Sequence, residues 1–126
     1  MTAKSKTVLL IDDRPLNLDY MAVRLEFAGY SVLCERGGAD ALYAARLTRP
    51  DIIVCDIKMP SMDGYQFCRE VRKDPELASV PIILYSAYEV TTESMELARA
   101  AGATSVLTST PDTDPLVQEI RRLEQG

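Results

Sequence analysis

A chain of 126 residues and 14.0 kDa, 47% hydrophobic and 26% charged, has room for one domain around a single core, here taken as residues 1–126 with a core of about 6–124. A net charge of −5 and a pI near 4.7 argue against a broad nucleic-acid surface, so no direct nucleic-acid binding is expected. The absence of histidine leaves no zinc set, and three cysteines without a CxxC pair suit a reducing, cytoplasmic compartment. No apolar stretch approaches the ~18 residues of a membrane span. Residues 1–7 are short and polar, with Lys4 and Lys6, unlike a signal peptide.

Strands and helices alternate along the chain. Thr7–Ile11 is an unbroken apolar strand that ends in Asp12 and Asp13. Pro15 suits a first helical position, and Leu18, Met21, Ala22 and Leu25 recur at helical spacing until Gly29. Residues 30–35 alternate and read as a strand nearer a sheet edge. Gly37 and Gly38 then turn the chain into a helix with Ala41, Leu42 and Ala45 inward, ended before Pro50. The apolar run at residues 52–55 closes on Asp56 and is followed by a turn carrying Pro60 and Gly64, the pattern of a strand buried on both faces.

Asp63 and Gly64 start a third helix, with Phe67 and Val71 inward, closed near Asp74 and Pro75. Residues 80–85 read as a fourth strand ending at Ser86 and Ala87. Thr91 or Thr92 caps a fourth helix that Gly102 stops. Residues 105–107 form a short fifth strand, and Pro115 starts a last helix with Leu116, Ile120 and Leu123 on one face. Five such units predict an α/β fold, a doubly wound five-stranded parallel sheet with helices on both faces. Right-handed crossovers leave a few strand orders open.

Parallel strands bring their carboxyl ends to one edge, where open α/β sheets bind ligands. Asp12, Asp13, Asp56 and Ser86 all stand at such ends. If the first and third strands are neighbours, three carboxylates share a crevice and repel unless a cation neutralises them. Hard oxygen donors without His or thiolate suit Mg²⁺, together with something phosphorylated. Each piece has a plainer role: the acidic pair caps a Pro-led helix, Asp63 and Gly64 make a turn, and Ser86 is a polar strand end. Their concurrence at three strand ends favours a site, with Asp63 and Gly64 kept structural.

The run Val8-Leu9-Leu10-Ile11-Asp12-Asp13, the run from Asp56 to Gly64, then Ser86-Ala87 and Gly102-Ala103, resemble the receiver domain of bacterial response regulators over nearly the whole chain. The resemblance implies the flavodoxin-like strand order 2-1-3-4-5. It implies a phosphoacceptor role for Asp56, which takes a phosphoryl group from a sensor histidine kinase or phosphotransfer protein to form an acyl phosphate. It implies Mg²⁺, with Mn²⁺ as a substitute, held by Asp13, Asp56 and the Lys58 backbone carbonyl, with Asp12 acting through water. Ser86 would donate its hydroxyl to a phosphoryl oxygen and draw the following loop inward. Output would pass to a downstream protein target or a fused output domain, with the face of the fourth helix, fifth strand and fifth helix as a docking surface.

The fifth strand departs from that pattern. Ser109 and Thr110 stand where receivers carry lysine and proline, no lysine follows Lys73, and Val106 replaces the aromatic switch residue. A charge-assisted hydrogen bond contributes about 1.5–3 kcal/mol and coupling between sites about 1–3 kcal/mol, so the missing lysine alone can remove much of the switching energy. Arg14 and Lys58 are the candidate replacements near a phosphoryl group on Asp56. The alternative is that both extend into solvent, and it weighs more for Lys58 than for Arg14.

Three functions compete. A phosphorylatable receiver is favoured by the intact acidic residues and Ser86; a pseudo-receiver binding module, independent of phosphorylation, is favoured by Ser109 and Val106. A Mg²⁺-dependent phosphatase is disfavoured because Lys58 stands where a second carboxylic acid is needed. Turnover of a separate substrate is therefore not expected, and the protein is read as no enzyme. With no room after the fifth helix for an output domain, the chain either docks alone or comes from a longer polypeptide.

Overall fold

The computed structural model describes residues 5–125; residues 1–4 of the polar start, and Gly126, lie outside them. Five strands alternate with five helices: β1 Thr7–Ile11, α1 Pro15–Phe27, β2 Ser31–Glu35, α2 Gly38–Thr48, β3 Ile52–Asp56, α3 Gly64–Lys73, β4 Ile82–Ser86, α4 Thr92–Ala101, β5 Ser105–Thr108 and α5 Asp114–Gln125. All pairings are parallel, in the order β2-β1-β3-β4-β5. This is the doubly wound, flavodoxin-like order expected from the resemblance. It makes β3 central and buried at every position, while β2 is an edge strand with exposed Ser31 and Cys34.

Two apolar layers follow from strand alternation. Leu9, Ile11, Ile53, Cys55, Ile82 and Leu84 face α2, α3 and α4. Val8, Leu10, Ile52, Val54, Ile83 and Tyr85 face α1 and α5. The inward residues of α1 are Leu18, Met21, Ala22 and Leu25, and those of α2 are Gly38, Ala41, Leu42 and Ala45. The α1 helix also carries a second apolar stripe: Leu16, Tyr20, Val23 and Phe27 recur at the same spacing and are 46–94% exposed. Among the described residues no helix is long and apolar enough to cross a membrane.

Local chemistry sets the boundaries. Asp63 and Gln66 form a reciprocal capping box at the start of α3, and Thr91 with Ser94 does the same for α4. Gly102 ends α4 at φ 97, a left-handed conformation that suits glycine. The fourth strand begins at Ile82, two residues later than expected, since Pro81 has no N–H for the ladder and contributes only its carbonyl, to Ile53 N–H. Gly64 matters for the strand-end edge: a Cβ there would lie 2.7 Å from the Asp56 carbonyl oxygen. Only glycine lets α3 start that close to β3.

Candidate functional site

The strand order brings the ends of β1, β3 and β4 together. Asp12 follows the Ile11–Cys55 register pair, and Asp56 pairs with Tyr85, which in turn pairs with Leu107. Asp12, Asp13 and Asp56 each offer a carboxylate oxygen within 4.8 Å of the others. The crevice expected from the strand-end carboxylates is thus present. A cleft of about 180 Å³ opens over it, lined by Asp13, Arg14, Asp56, Lys58, Ala87 and Tyr88.

Asp12 is fully buried and saturated with donors. It accepts from the Arg14 N–H at 2.9 Å, from Arg14 Nε at 3.3 Å and Nη2 at 3.4 Å, from the Asn17 amide, and from the Tyr85 hydroxyl at 2.8 Å. Burial works to raise its pKa, but these donors together hold it below the usual carboxylate range. Asp56 is 4% exposed and far less supported. Burial and then the Asp12 charge push its pKa up to about 6, against the opposing pull of Arg14 and the Lys58 N–H. Asp13 is half-buried at the cleft wall.

The two candidate cations behave differently. Arg14 Nη2 lies 3.8 Å from Asp56 Oδ2 while its Nε stays on Asp12, so one guanidinium spans both buried carboxylates. The Lys58 ammonium instead sits 4.5 Å from the centre of the Tyr88 ring, bridging the loops after β3 and β4 across the cleft mouth. The Lys58 backbone N–H lies 3.4 Å from Asp56 Oδ1. Ser86 ends β4 beside the cleft, and its Oγ accepts from the Tyr88 N–H at 3.1 Å, which leaves its own proton free.

The segment after β5 carries no cation toward the site. Ser109 donates its backbone N–H to the Ser86 carbonyl, and Val106 is half-buried. The loop is tied to α1 instead: Tyr20 Oη donates to the Pro111 carbonyl at 2.8 Å and Arg24 Nε to Thr113 Oγ1 at 3.2 Å.

Three contributors were not singled out from sequence: Asn17, Tyr85 and Tyr88. Tyr85 carried a readable signal, since a tyrosine in an apolar run has to find a partner for its hydroxyl once buried. Burial, then the neighbouring Asp12 charge and hydrogen bond, raise its pKa far enough that it stays a donor. Asn17 stands in the first turn of α1, where its amide reaches back to Asp12 at the strand end. Nothing in the sequence singles out Tyr88.

The response regulator receiver domain profile matches residues 8–121. The protein PilH of Pseudomonas aeruginosa is 30% identical over 119 residues, covering 94% of this chain and 98% of PilH. Other curated relatives are longer: the chain spans 48% of one and 26% of another. Among solved structures, the chemotaxis response regulator CheY4 of Vibrio cholerae superposes with a TM-score of 0.88 at 29% identity, over 94% of this chain and 98% of CheY4. The receiver domain of a Pseudomonas aeruginosa sensor histidine kinase, described with magnesium coordinated in its active-site cleft, superposes with a TM-score of 0.85 at 28% identity, over 94% and 97% of the two chains.

Proposed function

The chain belongs to the response regulator receiver domain family, the phosphoacceptor modules of two-component signalling, and on that premise we propose that Asp56 is its phosphoacceptor. The observation that carries this reading is the contrast between the two buried carboxylates. Asp12 is saturated and fixed, whereas Asp56 opens on the cleft with its pKa raised to about 6. Asp56 is thus ionised at neutral pH yet more basic than an ordinary carboxylate, which suits a nucleophile. An Asp56 oxygen attacks the phosphorus of a phosphohistidine. The P–O bond forms as the P–N bond breaks, and the imidazole leaves neutral with the proton already on its other ring nitrogen.

The donor set fits a hard divalent cation, because three carboxylates converge without His or thiolate and Arg14 balances only one of their charges. Asp13 and Asp56 would hold Mg²⁺ or Mn²⁺ directly with the Lys58 carbonyl, and Asp12, its oxygens already engaged, would act through water. The cation supplies charge screening for the transferring phosphoryl oxygens. Arg14 is the phosphoryl-proximal cation, from its position between Asp12 and Asp56; Lys58 serves the cleft mouth through Tyr88. Ser86 donates its free proton to a phosphoryl oxygen.

No turnover of a separate substrate follows, since the product is the acyl phosphate itself. The donor partner is a sensor histidine kinase or phosphotransfer protein, and the exposed stripe of Leu16, Tyr20, Val23 and Phe27, which starts two residues from Arg14, suits an apolar helix of such a partner. A downstream protein or fused output domain meets the face of α4, β5 and α5, where an open groove is lined by Met95, Arg99, Val106 and Glu119.

Intact-mass measurement after incubation with Mg²⁺ and phosphoramidate tests the proposal. One added phosphate, absent in Asp56→Asn, is expected. An unlabelled wild type, under conditions that label an ordinary receiver, would favour the phosphorylation-independent binding module.

A further inference from the structure

Asp56, Tyr85 and Leu107 pair in one row across the carboxyl edge of the sheet, and Asp12 follows Ile11, the β1 partner of Cys55, at the same edge. Tyr85 is 2% exposed, and its side chain lies on the α1/α5 face. From β4 its hydroxyl reaches past β3 to β1, donating to Asp12 Oδ2 at 2.8 Å with the Ile11 carbonyl at 3.1 Å. The Tyr85 carbonyl accepts the N–H of Ile57, the residue after Asp56, at 2.9 Å. Tyr85 also lines a cavity of about 30 Å³ beneath the β5–α5 loop, with Met21, Leu107, Ser109, Thr113 and Leu116.

We infer that Tyr85 is a positioning residue that relays the state of the acidic cluster to the β5–α5 loop, in place of a fifth-strand lysine and aromatic switch. The relay rests on the proposed phosphoacceptor role of Asp56. A phosphoryl group on Asp56 draws the Arg14 guanidinium, already 3.8 Å from Asp56, away from Asp12. Asp12 then depends more on its remaining donors, the Arg14 backbone N–H, Asn17 and Tyr85. A phenol is rigid from Cβ to hydroxyl, so any shift at Oη moves the ring, and the adjoining cavity gives it room. The loop cannot simply follow, because Tyr20 and Arg24 hold Pro111 and Thr113 to α1. Movement of the ring therefore repacks residues 107–117 around this cavity. Ser109, hung on the Ser86 carbonyl, adds a second link between β4 and the same loop.

The test is hydrogen exchange of residues 107–117 with and without Mg²⁺ and beryllofluoride, a mimic of the phosphoryl group, with binding of the mimic followed separately by ¹⁹F NMR. In the wild type, loop exchange is expected to change at least ~5-fold on binding, the low end of coupling between linked sites, and less than ~2-fold in Tyr85→Phe, which keeps the ring and loses the hydroxyl. Leu107→Ala cuts the relay on its loop side without touching the acidic cluster and is expected to bind the mimic with the same loss of response. Tyr30→Phe, in the same apolar layer at the far end of β2, is expected to respond like the wild type.

A full loop response in Tyr85→Phe overturns the inference. So does failure of that variant to bind the mimic, which would make the hydroxyl a requirement for building the site rather than a relay. If Tyr85→Phe does not fold, a full response in Leu107→Ala overturns it and a lost one supports it. Wild type that binds the mimic without a loop response overturns the relay alone; wild type that neither binds the mimic nor gains phosphate removes the phosphoacceptor reading with it.

Discussion

Replacing Asp56 with Asn is expected to stabilise the cation-free protein in a way that grows with pH. In the folded chain burial and the Asp12 charge push the Asp56 pKa from 3.8 up to about 6. Between those values the folded state holds a proton that the unfolded state has released, so stability falls as pH rises through this window. The contribution is fully present below about pH 4 and lost above about pH 6. At ~1.4 kcal/mol per pH unit, the interval amounts to about 3 kcal/mol, and a side chain only 5% exposed leaves little solvent to screen it. Asn carries no charge at any pH, so the variant escapes the loss. Asp12, whose pKa is lowered, works in the opposite sense but on the acid side of this window, and it stays ionised through the window in both proteins, since losing the neighbouring Asp56 charge only favours its ionised form. Urea unfolding in EDTA from pH 4 to pH 8 is the assay. The stability of Asp56→Asn minus that of the wild type is expected to climb by about 3 kcal/mol between pH 4 and pH 7 and then level off. A difference that stays flat, or that grows toward acid pH, would refute the reading of Asp56 as a carboxylate kept buried at a cost.

Arg14→Ala is expected to move the Asp56 titration to higher pH, read by carboxyl ¹³C NMR, because the guanidinium is the main group that lowers it. The same substitution is expected to slow labelling by phosphoramidate about 10-fold or more, the equivalent of one charge-assisted hydrogen bond of ~1.5–3 kcal/mol; unchanged labelling would leave Arg14 a mere counter-ion. Tyr88→Ala removes the cation–π contact that closes the cleft mouth, worth ~0.5–1 kcal/mol, and the acyl phosphate lifetime is expected to shorten about 2- to 5-fold by mass spectrometry. Gly64→Ala drives a methyl to 2.7 Å from the Asp56 carbonyl and 2.9 Å from Ile57 Cα, so thermal and urea unfolding are expected to show a loss of about 1–3 kcal/mol.

Much of the architecture is local in origin and was legible for that reason. The inward faces of α1 and α2 followed from helical spacing, and β3 declared itself through an apolar run that closes on Asp56. The start of β4 was misread because hydrophobicity does not register that Pro81 lacks a ladder donor. At the site, the acidic cluster was legible once parallel strands were inferred, since their ends must share an edge. Which of Arg14 and Lys58 brings its side chain to Asp56 was weighted toward Arg14 but not fixed, because both are long, flexible cations and only Lys58 is near Asp56 in sequence. It turned on one reaching Asp12 and Asp56 while the other lay over Tyr88.

By itself, then, the sequence determined the alternation of strands and helices, the faces they bury and the carboxylates at the strand ends. These depend on side-chain period and on neighbours a few residues away. The tertiary structure alone decided what surrounds those carboxylates. Tyr85 reaches Asp12 across 73 residues of chain because β4 lies beside β3 and β3 beside β1, and Tyr20 meets Pro111 across 91 because α1 packs near the β5–α5 loop. A buried hydroxyl must find an acceptor, but which acceptor it finds is fixed by the order of the strands, and that order is a property of the assembled sheet.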